Sequence, residues 1–306
     1  MPNNKPIRVF SMFTGIGGFE VGLNQSNIKH QLVGYSEIDS YAITIFQKHF
    51  KGVKNYGDAT TIDETKLPSF DLLVGGFPCQ AFSVAGKLRG FNDTRGTLFF
   101  DIARILSHKK PKHFILENVR GLLSHDSGRT FQTIIRVLTN LGYLVEWELC
   151  NSKNFGVPQN RERVFIIGHL RGSSRPKVFP IRKSNIENQG DVAQTLMARD
   201  YKGIGNQKMT IVRKYNTGHD GNTIYSTNGI ATTQKALGGG QGGKGGIYEM
   251  LDERVRRLTP IETERLQGFP DDWTKGLSDT QRYKCTGNAV TTTVIKEIVC
   301  KLYSNI

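Results

Sequence analysis

The feature that most constrains the fold is the alternation of short apolar runs with segments of helical spacing along the first half of the chain. The strand-like runs lie at 7–13, 31–35, 71–74, 113–116 and 164–168, and the first four are followed within two residues by a glycine or an acidic residue. Helical spacing occurs between them, at 19–23, 41–50, 98–106 and 131–141. This alternation predicts an α/β fold with a doubly wound, mostly parallel sheet. Ligands of such sheets bind beyond the carboxyl ends of the strands.

The pattern changes near Leu170, where helical spacing gives way to short β-branched runs among Gly, Asn and Thr. The recurring β-branched residues argue against disorder, although a long insertion or linker is the alternative. We therefore predict four parts of the chain. They are a sheet domain at 1–171, a smaller, basic, mainly β domain at 172–258, a connecting hinge at 259–286, and a C-terminal helix at 287–306 that returns to the sheet domain.

Composition narrows the classes of partner. The 306 residues carry a formal net charge of +14, which makes a polyanion a candidate partner. No apolar run is long enough to span a membrane and no signal region follows the N-terminus, so we expect a cytoplasmic protein. The four cysteines lie far apart without a C-x-x-C pair. We therefore expect neither a disulfide framework nor a metal site.

A glycine-rich loop, Phe13-Thr14-Gly15-Ile16-Gly17-Gly18, follows the first predicted strand. Glycines let a backbone approach a ligand closely, although the loop by itself could be only a tight turn. Glu20 stands where a dinucleotide-binding loop would have its third glycine. Glu37 ends the next strand and Asp58 follows Gly57, and carboxylates at such positions can bind ribose hydroxyls. Together these features predict a nucleoside-containing ligand.

Pro78-Cys79-Gln80 follows strand 71–74 and two glycines. Most structural cysteines are buried and inert, whereas a cysteine at the mouth of a sheet can be exposed and activated. The proline fixes the turn, and the small polar stretch 81–86 could fold over a substrate. This context favours Cys79 as a nucleophile.

Two more polar motifs lie at strand ends. Glu117 ends strand 113–116, where a desolvated carboxyl can act as a general acid. A helix N-cap or a salt bridge is the alternative. Gln159, Arg161 and Arg163 alternate at the start of a strand and would point to one face. Two guanidiniums there suit phosphate or carbonyl oxygens, and the alternative is a solvated charge cluster.

These motifs occur in the order found in DNA (cytosine-5)-methyltransferases, and the chain resembles the small prokaryotic or phage enzymes of restriction-modification systems. The resemblance covers nearly the whole chain, and five ordered motifs together are specific. Segment 257–271 also resembles the part of the family that joins its two domains. The motifs are Phe13-x-Gly15-x-Gly17-Gly18, Gly76-Phe77-Pro78-Cys79-Gln80-x-x-Ser83-x-x-Gly86, Glu117-Asn118-Val119, Gln159-x-Arg161-x-Arg163 and Gly287-Asn288-Ala289-Val290.

The resemblance implies a methyl transfer from S-adenosylmethionine to a cytosine that is flipped out of duplex DNA. Cys79 would add to C6 of the cytosine, which makes C5 nucleophilic enough to take the methyl group. Glu117 would hold N3 and the exocyclic amine, and Arg163 would bond O2. Arg161 would orient the loop or the backbone.

The same resemblance implies a cofactor pocket within the sheet domain. Phe13 and Ile38 would lie on the two faces of the adenine, and Asp58 would bind its amine. Glu37 would bind the ribose, and the methionine part would lie along the loop glycines Gly15, Gly17 and Gly18. The other residues of the pocket would be Pro78, Leu98, Asn288 and Ala289. The sheet domain would thus be catalytic, and no metal is implied.

Segment 172–258 would be the target-recognition domain, and the partner would be double-stranded DNA. A monomer is expected, with a cognate restriction endonuclease acting separately. Ala85, Asp220 and Thr223 depart from some relatives, so no recognition sequence can be carried over. The DNA contacts that the resemblance implies are Gln80, Ser83, Arg95, Thr233, Gly238 and Gly239.

The sequence can be compared with three other functions. An RNA methyltransferase would usually lack a full recognition domain, and the basic, glycine-rich segment 172–258 favours DNA. A catalytically silent DNA-binding relative would not need the complete set of Cys79, Glu117, Arg161 and Arg163. A nicotinamide oxidoreductase fits neither the missing third glycine nor the Pro78-Cys79-Gln80 motif.

Overall fold

The computed structural model describes residues 5–78, 98–181, 211–214, 223–226, 247–249 and 255–304. Six strands of the described chain form one mixed sheet in the order β2-β1-β3-β4-β6-β5. β1 pairs in parallel with β2 and β3, and β3 pairs in parallel with β4. β6 is antiparallel to both of its neighbours. The predicted α/β fold is confirmed. The strands are β1 (Ile7–Met12), β2 (His30–Ser36), β3 (Leu72–Gly76), β4 (His113–Val119), β5 (Tyr143–Asn151) and β6 (Glu162–Leu170).

Helices cover both faces of this sheet, because successive strand residues point to opposite sides. Val9 and Ile115 face the apolar layer that includes residues of α1 and α7. Phe10 and Phe114 face the layer that includes residues of α3 and α4. The described helices are α1 (Gly18–Gln25), α2 (Ser40–His49), α3 (Leu98–Lys109), α4 (Arg129–Asn140), α5 (Pro260–Leu266), α6 (Asp279–Asn288) and α7 (Thr292–Tyr303).

Two elements outside the region predicted to be mainly β were not predicted from the sequence. β5 was missed, and it forms the edge of the sheet beside β6. α6 was also missed; it is a polar helix whose buried residues are only Cys285, Thr286 and Gly287. The C-terminal helix was predicted at 287–306, but α7 begins at Thr292, because Ala289 has an extended backbone with φ −67° and ψ 150°.

A second, four-stranded sheet lies in the chain region predicted to be mainly β. Its order is β10-β9-β8-β7, and β8 pairs with β9 in parallel while the other two pairs are antiparallel. The strands are β7 (Ile211–Lys214), β8 (Thr223–Ser226), β9 (Ile247–Glu249) and β10 (Val255–Arg257). Among the described residues, no helix is both long and apolar enough to cross a membrane.

Candidate active site

The predicted site motifs meet where the parallel strands of the large sheet have their carboxyl ends. Strand register places Met12 of β1 beside Gly75 of β3, and Gly76 of β3 beside Glu117 of β4. β6 runs in the opposite direction, so its first residues lie at this same end of the sheet, where Arg163 pairs with Val119. The glycine loop, the exit from β3, Glu117 and Arg163 therefore surround the carboxyl ends of β1, β3 and β4.

The glycine loop makes a tight path between β1 and α1. Gly15 and Gly17 have φ values of 58° and 90°, in the left-handed region that favours glycine. A Cβ on Gly17 would lie 2.7 Å from the Phe50 ring, whereas a Cβ on Gly15 would meet nothing within 4 Å. Gly17 therefore serves the packing of the loop, and Gly15 borders open space. Phe13, which enters the loop, also has a positive φ of 53°.

Glu37 is held against the glycine loop by three backbone donors. One carboxylate oxygen accepts from Gly15 N at 2.7 Å, and the other accepts from Ile38 N at 2.8 Å and Asp39 N at 2.9 Å. Ile38 is an exposed neighbour, with 71% of its surface accessible. Asp58 is exposed, and its carboxylate accepts from Thr60 N at 2.9 Å as the cap of a short turn. Glu37 is thus the predicted acidic residue that contacts the glycine loop directly.

Glu117 and Arg163 form an ion pair in the cleft. Arg163 Nε lies 3.1 Å from Glu117 Oε1, and the two side chains are 13% and 12% exposed. A second Arg163 nitrogen donates to the Glu162 carbonyl at 2.8 Å. Burial lowers the pKa of the Arg163 guanidinium, and the charge of Glu117 opposes that shift. Two motifs 46 positions apart in sequence therefore form one charged, largely desolvated pair.

Arg161 has other partners, although it lies near Arg163. Its guanidinium donates to the Gly287 carbonyl at 3.2 Å and to the Ala289 carbonyl at 2.9 Å. Burial, and then the positive charge of Arg163, lower the pKa of Arg161 well below its usual value. Arg161 therefore fastens the segment that contains Asn288, which is itself exposed.

Gln159 is the third residue of this motif and is fully buried. Its side-chain nitrogen and oxygen make no hydrogen bond in the described structure. A buried amide without partners is costly in free energy, so such groups are often found where a ligand or a functional contact supplies the missing bond.

Asn118 is a site residue that sequence reasoning did not assign a role. Its side-chain nitrogen donates to the Phe77 carbonyl at 2.8 Å, and its side-chain oxygen accepts from Val119 N at 2.8 Å. Phe77 lies two positions before Cys79, so Asn118 fixes the path of the chain toward the predicted nucleophile. A buried amide beside Glu117 at a strand end is the signal that could have identified it.

Part of the predicted site lies outside the described residues. Pro78 is exposed and is the last described residue before position 79. Leu98 is half-buried and is the first residue of α3. The predicted residues outside the description are Cys79, Gln80, Ser83, Arg95, Thr233, Gly238 and Gly239.

The other three cysteines are poor nucleophiles. Burial raises the pKa of Cys150 and of Cys285 to about 12 each, and it also raises the pKa of Cys300. A thiol with a raised pKa has little thiolate at neutral pH. No cluster of His, Cys, Asp and Glu that could hold a metal ion occurs within the described part of the chain.

Comparison with known proteins identifies the family. The model of the C-5 cytosine-specific DNA methylase family matches residues 7–304. The type II methyltransferase M1.ScrFI of Lactococcus lactis subsp. cremoris is 40% identical over 309 residues, covering 96% of this chain and 77% of the relative. The type II methyltransferase M.HhaI of Haemophilus parahaemolyticus is 36% identical over 318 residues, covering 98% and 95%.

Solved structures agree on the fold. The S. pombe Dnmt2 methyltransferase superposes with a TM-score of 0.72 at 21% identity, covering 99% of this chain and 100% of that one. The Entamoeba histolytica methyltransferase EhMeth superposes with a TM-score of 0.69 at 20% identity, covering 99% of each chain. The six-stranded mixed sheet with its helices is the fold of these methyltransferases.

Proposed function

The chain belongs to the C-5 cytosine-specific DNA methylase family and is a DNA (cytosine-5)-methyltransferase, and from this premise we propose how its residues carry out the reaction. The observation that carries the proposal is the Glu117–Arg163 ion pair, which lies at the sheet edge where the chain leads to Cys79. An acceptor and a donor group in one desolvated cleft match the polar edge of a cytosine ring.

Cys79 is the nucleophile in this proposal. Its thiolate adds to C6 of the cytosine, and the ring electrons move so that C5 becomes nucleophilic. After the methyl transfer, a base removes the C5 proton and the bond from C6 to Cys79 breaks. The raised pKa values of the three described cysteines support Cys79 as the reactive thiol.

Glu117 and Arg163 stabilise charge on the ring. When sulfur adds to C6, negative charge develops at N3 and O2. Glu117 in its protonated form gives its proton to N3, and a guanidinium N–H binds O2, so that both lower the barrier. The N3 proton returns to Glu117 when the bond to Cys79 breaks. The ion pair holds both side chains in place before substrate arrives, which reduces the reorganisation needed during the reaction. Asn118 supports the same arrangement by binding the Phe77 carbonyl.

S-adenosylmethionine is the proposed cofactor, and it supplies a methyl group on a sulfonium when bound. The residues at the ends of β1 and β2 fit such a molecule, because Gly15 borders open space beside the fixed carboxylate of Glu37. Ile38 adds an exposed apolar surface suited to an adenine ring. Asp58 and Asn288 are exposed and can contribute polar contacts.

Double-stranded DNA is the proposed substrate, and segment 172–258 is the proposed target-recognition domain. The short sheet formed by β7–β10 and the net charge of +14 support this assignment. Binding to phosphates releases counterions, so we expect the affinity for DNA to fall steeply with salt. A monomer has one catalytic site and suffices for one strand at a time.

The test is transfer of labelled methyl groups from S-adenosylmethionine to unmethylated plasmid DNA, followed by bisulfite sequencing. The proposal expects C5 label in one repeated sequence context for the wild type and none for Cys79→Ala. Cys285→Ala is the matched control and should keep its activity. Transfer that survives in Cys79→Ala would exclude Cys79 as the nucleophile, and transfer to RNA but not to DNA would overturn the substrate assignment.

A further inference from the structure

The residues 269–284, here called the clasp, contact the glycine loop from the far end of the chain. The indole nitrogen of Trp273 donates to the Ile16 carbonyl at 2.8 Å. Ile16 is buried and lies between Gly15 and Gly17, the two loop glycines with positive φ. The N–H of the same peptide, on Gly17, donates to the Thr14 carbonyl at 3.1 Å, so the indole supplies the second of two bonds that fix the centre of the loop.

Trp273 is itself held firmly. Its ring stacks on His49 with 3.6 Å between ring centroids and 5° between planes. His49 Nε2 donates to the Trp273 carbonyl at 2.8 Å, and the rings of Phe50 and Phe269 lie 6.0 and 5.6 Å away. These contacts hold the indole in one orientation, with its N–H directed at the Ile16 carbonyl. Binding of a ligand therefore costs no further side-chain entropy at Trp273.

A second contact of the clasp reaches Asp39, which follows the end of β2. Lys284 lies 2.6 Å from Asp39, whose other carboxylate oxygen caps α2. Asp39 N in turn donates to Glu37, and Glu37 accepts from Gly15 N. The sequence predicts a connecting hinge at 259–286, and within that segment the clasp is bonded to both the glycine loop and the acidic end of β2.

We infer that Trp273 is a positioning residue for the cofactor, which it keeps in register by holding the Ile16 carbonyl. The inference rests on the proposed binding of S-adenosylmethionine by the glycine loop. Without the indole donor the buried carbonyl loses its partner, so the loop can leave its binding conformation. The apparent affinity for the cofactor is proportional to the fraction of molecules whose loop keeps the binding conformation, so it falls as that fraction falls.

The test uses the fact that the chain has two tryptophans, Trp273 and Trp147. Trp273→Phe keeps an aromatic ring for His49 and removes the N–H, and Trp147→Phe is the matched control. For Trp273→Phe the dissociation constant for S-adenosylhomocysteine, measured by calorimetry, should rise by about tenfold, as for one lost hydrogen bond. The KM for DNA and the kcat at saturating cofactor should change less than about twofold, and the control should match the wild type.

Tryptophan fluorescence provides a second test that leaves Trp273 unchanged. In Trp147→Phe the only remaining indole is the one bonded to Ile16, so its emission should shift when S-adenosylhomocysteine binds. An unchanged emission together with calorimetric binding would contradict the inference.

The outcomes separate the two claims. Wild type that binds the cofactor, together with Trp273→Phe that binds it equally well, overturns the inference alone. So does a Trp273→Phe variant in which melting temperature, kcat and KM for DNA all deteriorate together, since that is a general structural defect. Wild type that fails to bind the cofactor overturns the proposed function, and the inference with it.

Discussion

The two ends of the β4–β6 strand pair differ in whether their polar side chains have hydrogen-bond partners within the protein. At the end away from the proposed site, His113 pairs with His169, and their Nδ1 atoms lie 3.1 Å apart. His169 Nε2 lies 2.9 Å from Glu146, which also accepts backbone N–H groups of Val178 and Phe179. These contacts form a closed network within the protein.

At the site end, side chains on and next to these strands have donors and acceptors without a hydrogen-bond partner among the described residues. The Glu117–Arg163 pair remains partly exposed in the cleft, and the amide of Gln159 is buried without a partner. Glu20, on α1 beside the glycine loop, is fully buried and has no ion-pair partner among the described residues. One end is therefore built for stability, whereas the other accepts a cost in stability that a ligand can offset.

The largest effect should come from Arg163. Arg163→Lys keeps the charge but loses the planar fork, so the methyl-transfer rate should fall by about a hundredfold or more. The matched control is Arg120→Lys, because Arg120 forms a more exposed pair with Glu162 at 2.6 Å. Its rate should remain within about twofold of the wild type. Equal rates for the two variants would remove Arg163 from the reaction.

Glu20 should destabilise the protein above neutral pH. Burial raises its pKa from 4.5 to about 7, so between these values the folded protein keeps a proton that the unfolded chain has released. Stability must then fall as pH rises through this window. Glu20→Gln should therefore be more stable than wild type at pH 8 by up to about 3 kcal/mol, and nearly equal to it at pH 4.5.

Urea denaturation at several pH values measures this difference. Glu297→Gln, at a half-exposed position of α7, is the control and should follow the wild-type curve. A constant difference between Glu20→Gln and wild type from pH 4.5 to 8 would show that Glu20 does not titrate as proposed.

His113 should give the opposite pH dependence and a smaller effect. Burial, and then the charge of His169, lower its pKa from 6.5 to about 4. Because the unfolded chain takes up a proton first, stability is lost as pH falls from 6.5 toward 4. The loss should reach about 2 kcal/mol at pH 5. The slope should be shallower in His113→Gln but retained in His108→Gln, an exposed control; similar slopes in both would refute the assignment.

Sequence reasoning could predict the strand ends but not every element or partner. The glycine loop, Glu117 and Arg163 were predicted because a strand followed by polar residues has a local pattern. β5 was missed: Glu146 and Glu148 interrupt its apolar pattern, and these carboxylates bind backbone N–H groups at 178, 179 and 181. Such partners are distant in sequence, so no local pattern shows them.

The two arginines of one motif show the same limit. Arg161 and Arg163 look equivalent along the chain, yet Arg161 bonds carbonyls at 287 and 289 while Arg163 pairs with Glu117. Trp273 likewise lay only within the predicted hinge at 259–286 and received no role, because its contact with Ile16 joins positions 257 residues apart. Tertiary structure alone separates these functions.

The most direct test of the account compares Glu117→Gln with Glu146→Gln, one carboxylate from each end of the strand pair, by methyl-transfer rate and urea denaturation. Glu117→Gln should slow transfer by at least about a hundredfold, since general acid catalysis is worth about 10²–10⁴-fold. Glu146→Gln should lose about 1–2 kcal/mol of stability and keep its kcat within about twofold. A wild-type rate in Glu117→Gln, or an equal loss of rate in Glu146→Gln, would contradict the division between a catalytic end and a structural end.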